Sequence, residues 1–122
     1  MTIEEHQVGD LKVAEIISNK LVVASVEDCL ELLGNLYYQG FDRNILDAEN
    51  ITQDFFDLKT GMAGEILQKF SNYRMGLAII GNFDTIGSKS LNDFICESNK
   101  LGHINFVNST AEAIKRFSKK QL

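Results

Sequence analysis

The segment Phe55-Phe56-Asp57-Leu58-Lys59-Thr60-Gly61-Met62-Ala63-Gly64-Glu65-Ile66-Leu67-Gln68-Lys69-Phe70 decides how the chain is read. Leu58, Met62, Ile66, Leu67, Phe70 and Tyr73 recur at helical spacing and make one apolar stripe, while Gly61, Ala63 and Gly64 keep the first turns thin. Before it, Asn44-Ile45-Leu46-Asp47 reads as a short strand. After it, Met75-Gly76-Leu77-Ala78-Ile79-Ile80 is apolar without alternation, as in a strand covered on both faces. Strand, helix and strand in that order form a unit whose strands are parallel and whose crossover is right-handed.

Outward from this unit the alternation continues. Val26, Cys29, Leu30, Leu33, Leu36 and Tyr37 predict a helix capped by Ser25, with Asp28 in an acidic variant of the capping box, and stopped by Gly40. Leu11 to Ile17 and Leu21 to Ala24, separated by Ser18-Asn19-Lys20, predict an antiparallel hairpin at one side of the sheet. On the carboxyl side, Gly81 to Gly87 is a loop. Ser88 or Ser90 then caps a helix with Leu91, Phe94, Ile95 and Ser98 inward, and Gly102 ends it. His103 to Val107 is the last strand, and Ser109-Thr110-Ala111-Glu112 is a capping-box match that opens a final helix with Ala113, Ile114 and Phe117. The expected fold is α/β, in one domain over 1–122 with the order β-β-α-β-α-β-α-β-α: an N-terminal hairpin, then parallel strands joined by crossover helices.

A chain of 122 residues with 44% hydrophobic and 24% charged side chains can bury a core without disulfides or metals. Its net charge of -5 argues against a nucleic-acid partner, which needs a basic face. Lys115, Arg116, Lys119 and Lys120 are read as cations that complement the end of the last helix and solvate its outer face. Cys29 and Cys96 lack CxxC spacing and fall on apolar sides of helices, so core packing is expected of both. Met1 is followed by Glu4, Glu5 and His6 rather than a basic and apolar leader, and no run of about 20 apolar residues is present. A cytoplasmic protein with no membrane contact is expected. His6 is placed in a mobile N-terminus and His103 at the start of a buried strand, neither with a companion at metal-ligand spacing.

In a parallel sheet the loops after the strand carboxyl ends gather on one edge, and ligands or partners engage there. That edge collects Asp47, Glu49, Asn50, Asp54, Asp57, Lys59, Thr60 and Gly61 from one loop and Asn82, Asp84, Ser88, Lys89 and Ser90 from the next. Asp57 caps the turn ahead of Thr60, and a phosphate on Thr60 or a partner's carboxylate could use the exposed amides with Lys59. Gly81 to Ser90 imitates a phosphate-binding loop but has five residues between its glycines and Ser88 ahead of Lys89, so it fails that pattern. The acidic residues match no EF-hand, and no Gly-x-Ser-x-Gly elbow is present. No catalytic residue, cofactor or metal is expected.

The run FFDLKTGMAGEILQKFSNYR, followed by LAIIGNF, SKSLNDFICESNKLGHINFV and AEAIKRF, closely resembles a family of small bacterial proteins catalogued only as a domain of unknown function. More distantly, the order of elements resembles the STAS domains, named for sulfate transporters and anti-sigma factor antagonists. Their strand ending in Leu-Asp is matched by Ile45-Leu46-Asp47. Their Asp-Ser-Ser/Thr-Gly helix start is matched by Asp57, Thr60 and Gly61, with Leu58-Lys59 one residue longer than that family's spacing. The resemblance implies a partner-binding module with Thr60 at the position a partner kinase phosphorylates.

Two functions follow as expectations. The first is a non-enzymatic regulatory or protein-interaction domain that engages a protein partner through the edge around Asp57, Lys59, Thr60 and Ser88. The alternative is a small-molecule or anion-binding protein, conceivably an enzyme, using the helix-start amides with Lys59, Asn82 and Lys89. A homodimer is compatible with either.

Overall fold

The computed structural model describes residues 1–84 and 87–119. Thr85 and Ile86 of the expected loop, and Lys120 of the basic cluster, lie outside the described residues. The chain forms a five-stranded sheet in the order β1-β2-β3-β4-β5, with β1(Thr2–Val8), β2(Leu11–Ile17), β3(Arg43–Asp47), β4(Gly76–Ile80) and β5(Ile104–Val107). Helices α1(Val26–Tyr38), α2(Met62–Asn72), α3(Lys89–Leu101) and α4(Thr110–Lys119) complete an α/β fold in the expected order of strands and helices. Among the described residues, only β1 runs antiparallel to its neighbour; the other pairs are parallel.

The hairpin differs from expectation. β2 pairs with β1 from Thr2↔Ile17 to Val8↔Leu11, turning through Gly9-Asp10 with Gly9 at φ +61. Leu21 to Ala24 has no edge to join, because the other side of β2 is taken by β3. It runs instead beside the loop after β3: the Val22 and Val23 amides donate to Asn50 O at 2.8 and 3.0 Å, and Val23 bridges Ile51. His6 therefore lies within a strand, not in a mobile terminus.

Helix starts follow their caps. Ser25 Oγ accepts from Asp28 N at 3.1 Å, and Asp28 Oδ2 accepts from Ala24 N at 3.0 Å. At α4, Ser109 Oγ accepts from Glu112 N and Glu112 Oε1 accepts from Asn108 N. In both boxes the acidic side chain reaches one residue ahead of the cap, so two otherwise unpartnered amides are satisfied. α2 starts later than its apolar stripe suggests. Three single-turn 3-10 helices, Ala48–Asn50, Gln53–Phe55 and Leu58–Thr60, precede it, and Gly61 at φ +75 separates the last from the helix. A left-handed residue breaks the helical run, which leaves Leu58 half-buried in the turn. Tyr73, expected inward, is 42% exposed and meets Tyr37 edge-on at 5.2 Å.

Because the parallel strands follow one another in sheet order, right-handed crossovers carry α1, α2 and α3 to the same face. There Ala14, Ile16, Leu46, Leu77, Ile79 and Phe106 of the sheet pack against Leu33, Leu36, Ile66, Phe70, Leu91 and Ile95. The opposite face holds Val13, Ile45, Ala78 and Val107, covered by Ala113 and Phe117 of α4. Two helix expectations change. Cys96 is exposed, since Leu91, Ile95 and Ser98 face inward and Cys96 is one residue, about 100°, round from Ile95. Arg116 does not solvate an outer face: its Nε donates to Asn105 Oδ1 at 2.9 Å and its Nη2 to Asn99 O at 2.6 Å, tying α4 to β5 and α3.

Candidate functional site

At the carboxyl ends of the strands, two depressions open. On the α4 face a cavity of about 390 Å³ is lined by Glu15, Ile16, Ile17, Ser18, Ile45, Asp47, Glu49, Asn50, Ile80, Ser109 and Thr110. An open groove of about 670 Å³ is lined by Phe56, Asp57, Leu58, Lys59, Ser88 and Ser90. Phe56 and Leu58 both pack against the three-helix core, which places this groove on the other side of the sheet from the cavity. Asp47, Glu49 and Asn50 thus line the first depression, and Asp57, Lys59, Ser88 and Ser90 the second.

Local hydrogen bonds fix most of these groups. Asp47 Oδ1 accepts from Glu49 N at 2.9 Å and Asp57 Oδ1 from Lys59 N at 3.1 Å, each stapling a 3-10 turn from the residue before it. Asn50 is buried, and its Nδ2 donates to Ser18 O at 2.9 Å and Lys20 O at 2.8 Å, which holds the wall of the cavity. The Thr60 hydroxyl donates within a turn, with Asp54 O at 2.7 Å and Asp57 O at 2.9 Å, and accepts from Met62 N at 3.2 Å. Gly61 supplies the left-handed residue after it.

In the second loop, Asn82 Oδ1 accepts from Asp84 N at 3.2 Å, and Ser88 Oγ accepts from Leu91 N at 3.2 Å as the cap of α3. Lys89 pairs with Asp93 at 2.9 Å on the exposed side of that helix. Ser90 is exposed beside it. Gly81 lets this loop fold closely: a Cβ there would lie 2.8 Å from the Phe83 ring and 3.1 Å from Ala48 Cβ. Under the groove, the Phe106 ring meets Phe83 edge-on at 5.2 Å and Phe94 at 6.2 Å, so the floor is anchored in an aromatic cluster.

Five cavity-side residues were not singled out from sequence as site residues: His6, Glu15, Ser18, Ser109 and Thr110. His6 Nε2 lies 2.8 Å from Glu15 Oε1, a side-chain contact between β1 and β2. Thr110 Oγ1 donates to Glu15 Oε2 at 2.9 Å, from a residue 95 positions away in the chain. A usable signal existed in Gly9-Asp10, a two-residue turn pattern that would have paired β1 with β2 and set His6 near Glu15.

A family model described as a domain of unknown function, DUF4180, matches residues 8–117. The chain belongs to this family. The DUF4180 match covers both depressions and every helix start described above, while most of β1 lies ahead of it. Comparison with curated proteins and with solved structures found no match. Among the described residues, no helix is long and apolar enough to cross a membrane.

Proposed function

We propose that this DUF4180 chain is a non-enzymatic regulatory or protein-interaction domain, bacterial and cytoplasmic, whose partner seats a segment in the groove between the turn Leu58–Thr60 and the start of α3. The observation that carries this reading is the groove itself: Phe56 and Leu58 offer an apolar floor, and Asp57, Lys59, Ser88 and Ser90 a polar rim of both charge signs. An apolar centre with a polar rim is the usual anatomy of a protein interface. The order of elements supports a STAS-like relationship, with the groove where that likeness puts the contact surface.

Phosphorylation at Thr60 fits the same reading as a switch. Esterifying the hydroxyl removes its proton, and with it the hydrogen bond to the Asp54 or Asp57 carbonyl, so a phosphate would loosen the turn as well as add charge.

The test places a photo-crosslinking residue at Ser90 in one variant and at Tyr38 in another, the latter 92% exposed at the far end of α1. Crosslinking in the native cell should trap one protein from Ser90 and not from Tyr38, and Lys59→Glu should abolish it. Equal trapping at both positions, or none at Ser90, would remove the groove as the interface.

The alternative, small-molecule binding, is favoured by the cavity on the α4 face. Glu15, Asp47 and Glu49 line it, so it suits a cationic or hydroxyl-rich molecule and opposes an anion.

A further inference from the structure

The hairpin brings together three groups that are remote from the groove. Glu4 stands directly opposite Glu15, and His6, two residues along β1, points to the same face because side chains alternate along a strand. One ligand atom from each of Glu4, His6 and Glu15 falls within 4.8 Å of the others. Opposed carboxylates on neighbouring strands repel, and Glu4 takes part in no ion pair among the described residues. The arrangement holds two carboxylates against a single imidazole.

We propose that Glu4, His6 and Glu15 bind a divalent first-row transition ion of the Zn2+ class. The site goes beyond the groove reading and does not depend on it. An imidazole nitrogen with two carboxylate oxygens suits such an ion, whereas Ca2+ takes about six to eight oxygens and Mg2+ keeps its waters. Ligands at about 2.1 Å in a tetrahedron lie roughly 3.4 Å apart. For the ion to take the His6 Nε2 lone pair, any proton on that nitrogen moves to Nδ1 or is released to solvent, the 2.8 Å contact with Glu15 opens slightly, and the exposed Glu4 closes in.

Two features prepare the site. Thr110 Oγ1 holds the second oxygen of Glu15, so one carboxylate is already oriented by a hydrogen bond from outside the ligand set. Glu15 and Thr110 also line the 390 Å³ cavity. Three protein ligands leave a fourth position on the ion, available to water or to a molecule held in that cavity.

The untagged full chain, stripped of metal, would be titrated with Zn2+ by calorimetry and with Co2+ by absorption, against Ca2+ and Mg2+. One Zn2+ per chain is expected, in preference to Ca2+ and Mg2+. His6→Gln keeps a side-chain N–H for Glu15 and should weaken Zn2+ binding about 100-fold, with Thr110→Val, a positioning residue, weakening it about 10-fold. Glu4→Gln, on an exposed side chain, gives the same loss if His6→Gln fails to fold. His103→Gln should leave the titration unchanged. Absence of stoichiometric Zn2+ uptake, uptake indifferent to His6→Gln and Glu4→Gln, or uptake lost in His103→Gln would overturn the assignment.

Discussion

The two faces of the sheet are built differently: three helices close one, and α4 alone lies over the other. On the three-helix face the depression at the strand ends is an open groove with an apolar floor, because Phe56 and Leu58 come from turns that sit on a finished core. Over the α4 face, polar groups of β2 meet the start of α4, and the depression is a smaller, acid-rich cavity. One end of one sheet thus presents an open groove with an apolar floor on one face and an acid-lined cavity on the other.

The comparison is tested most severely at the aromatic floor. Phe106→Ala removes the ring that joins Phe55, Phe83 and Phe94 and should cost about 3–5 kcal/mol, measured by denaturant unfolding. A cost as small as that of a surface substitution would mean that the groove has no rigid base. Next comes the wall of the cavity. Asn50→Ala leaves the carbonyls of Ser18 and Lys20 without their donor and should cost about 1–3 kcal/mol, with faster amide exchange at Val22 and Val23. Amide exchange confined to the groove side instead would show that the two depressions share one support.

The smallest effect concerns how well the three-helix face excludes water. Burial, with a lesser contribution from the Asp28 carboxylate, pushes the Cys29 thiol up from 9.0 to about 12. The folded state holds this proton more tightly than the unfolded chain, so its contribution to stability is complete below pH 9 and is lost as pH rises from 9 toward 12. Between pH 8 and pH 10 the wild type should lose about 1 kcal/mol more than Cys29→Ala does. A thiol reagent added to the folded protein at pH 8 should label the exposed Cys96 and spare Cys29. Equal labelling would show that α1 opens readily.

Much of this architecture can be read along the chain because its signals are local. Ser25, Ser88 and Ser109 cap the helices they precede, Gly102 closes α3 at φ +86, and the unbroken apolar run of β4 announces a strand covered on both faces. Turn residues, caps and periodicity act within a few positions, so neighbouring residues suffice to reveal them. The hairpin was harder. β1 is an edge strand whose exposed Glu4, Glu5 and Gln7 mute the apolar alternation, whereas Leu21 to Ala24 is a more hydrophobic run close after β2 in the chain.

What the sequence determined by itself was the helices α1 to α4, the strands β2 to β5 and the polar character of their carboxyl-end loops. Tertiary structure alone decided the rest. Sequential strand order sent α1 to α3 to one side and α4 to the other, which parted Asp47, Glu49 and Asn50 from Asp57, Lys59 and Ser88 although one loop carries most of them. Strand pairing brought His6 to Glu15, and the return of α4 brought Thr110 to the same carboxylate. The physical reason is range: caps and periodicity are fixed by adjacent residues, but a site assembled across 95 positions exists only once the sheet has chosen its order and its faces.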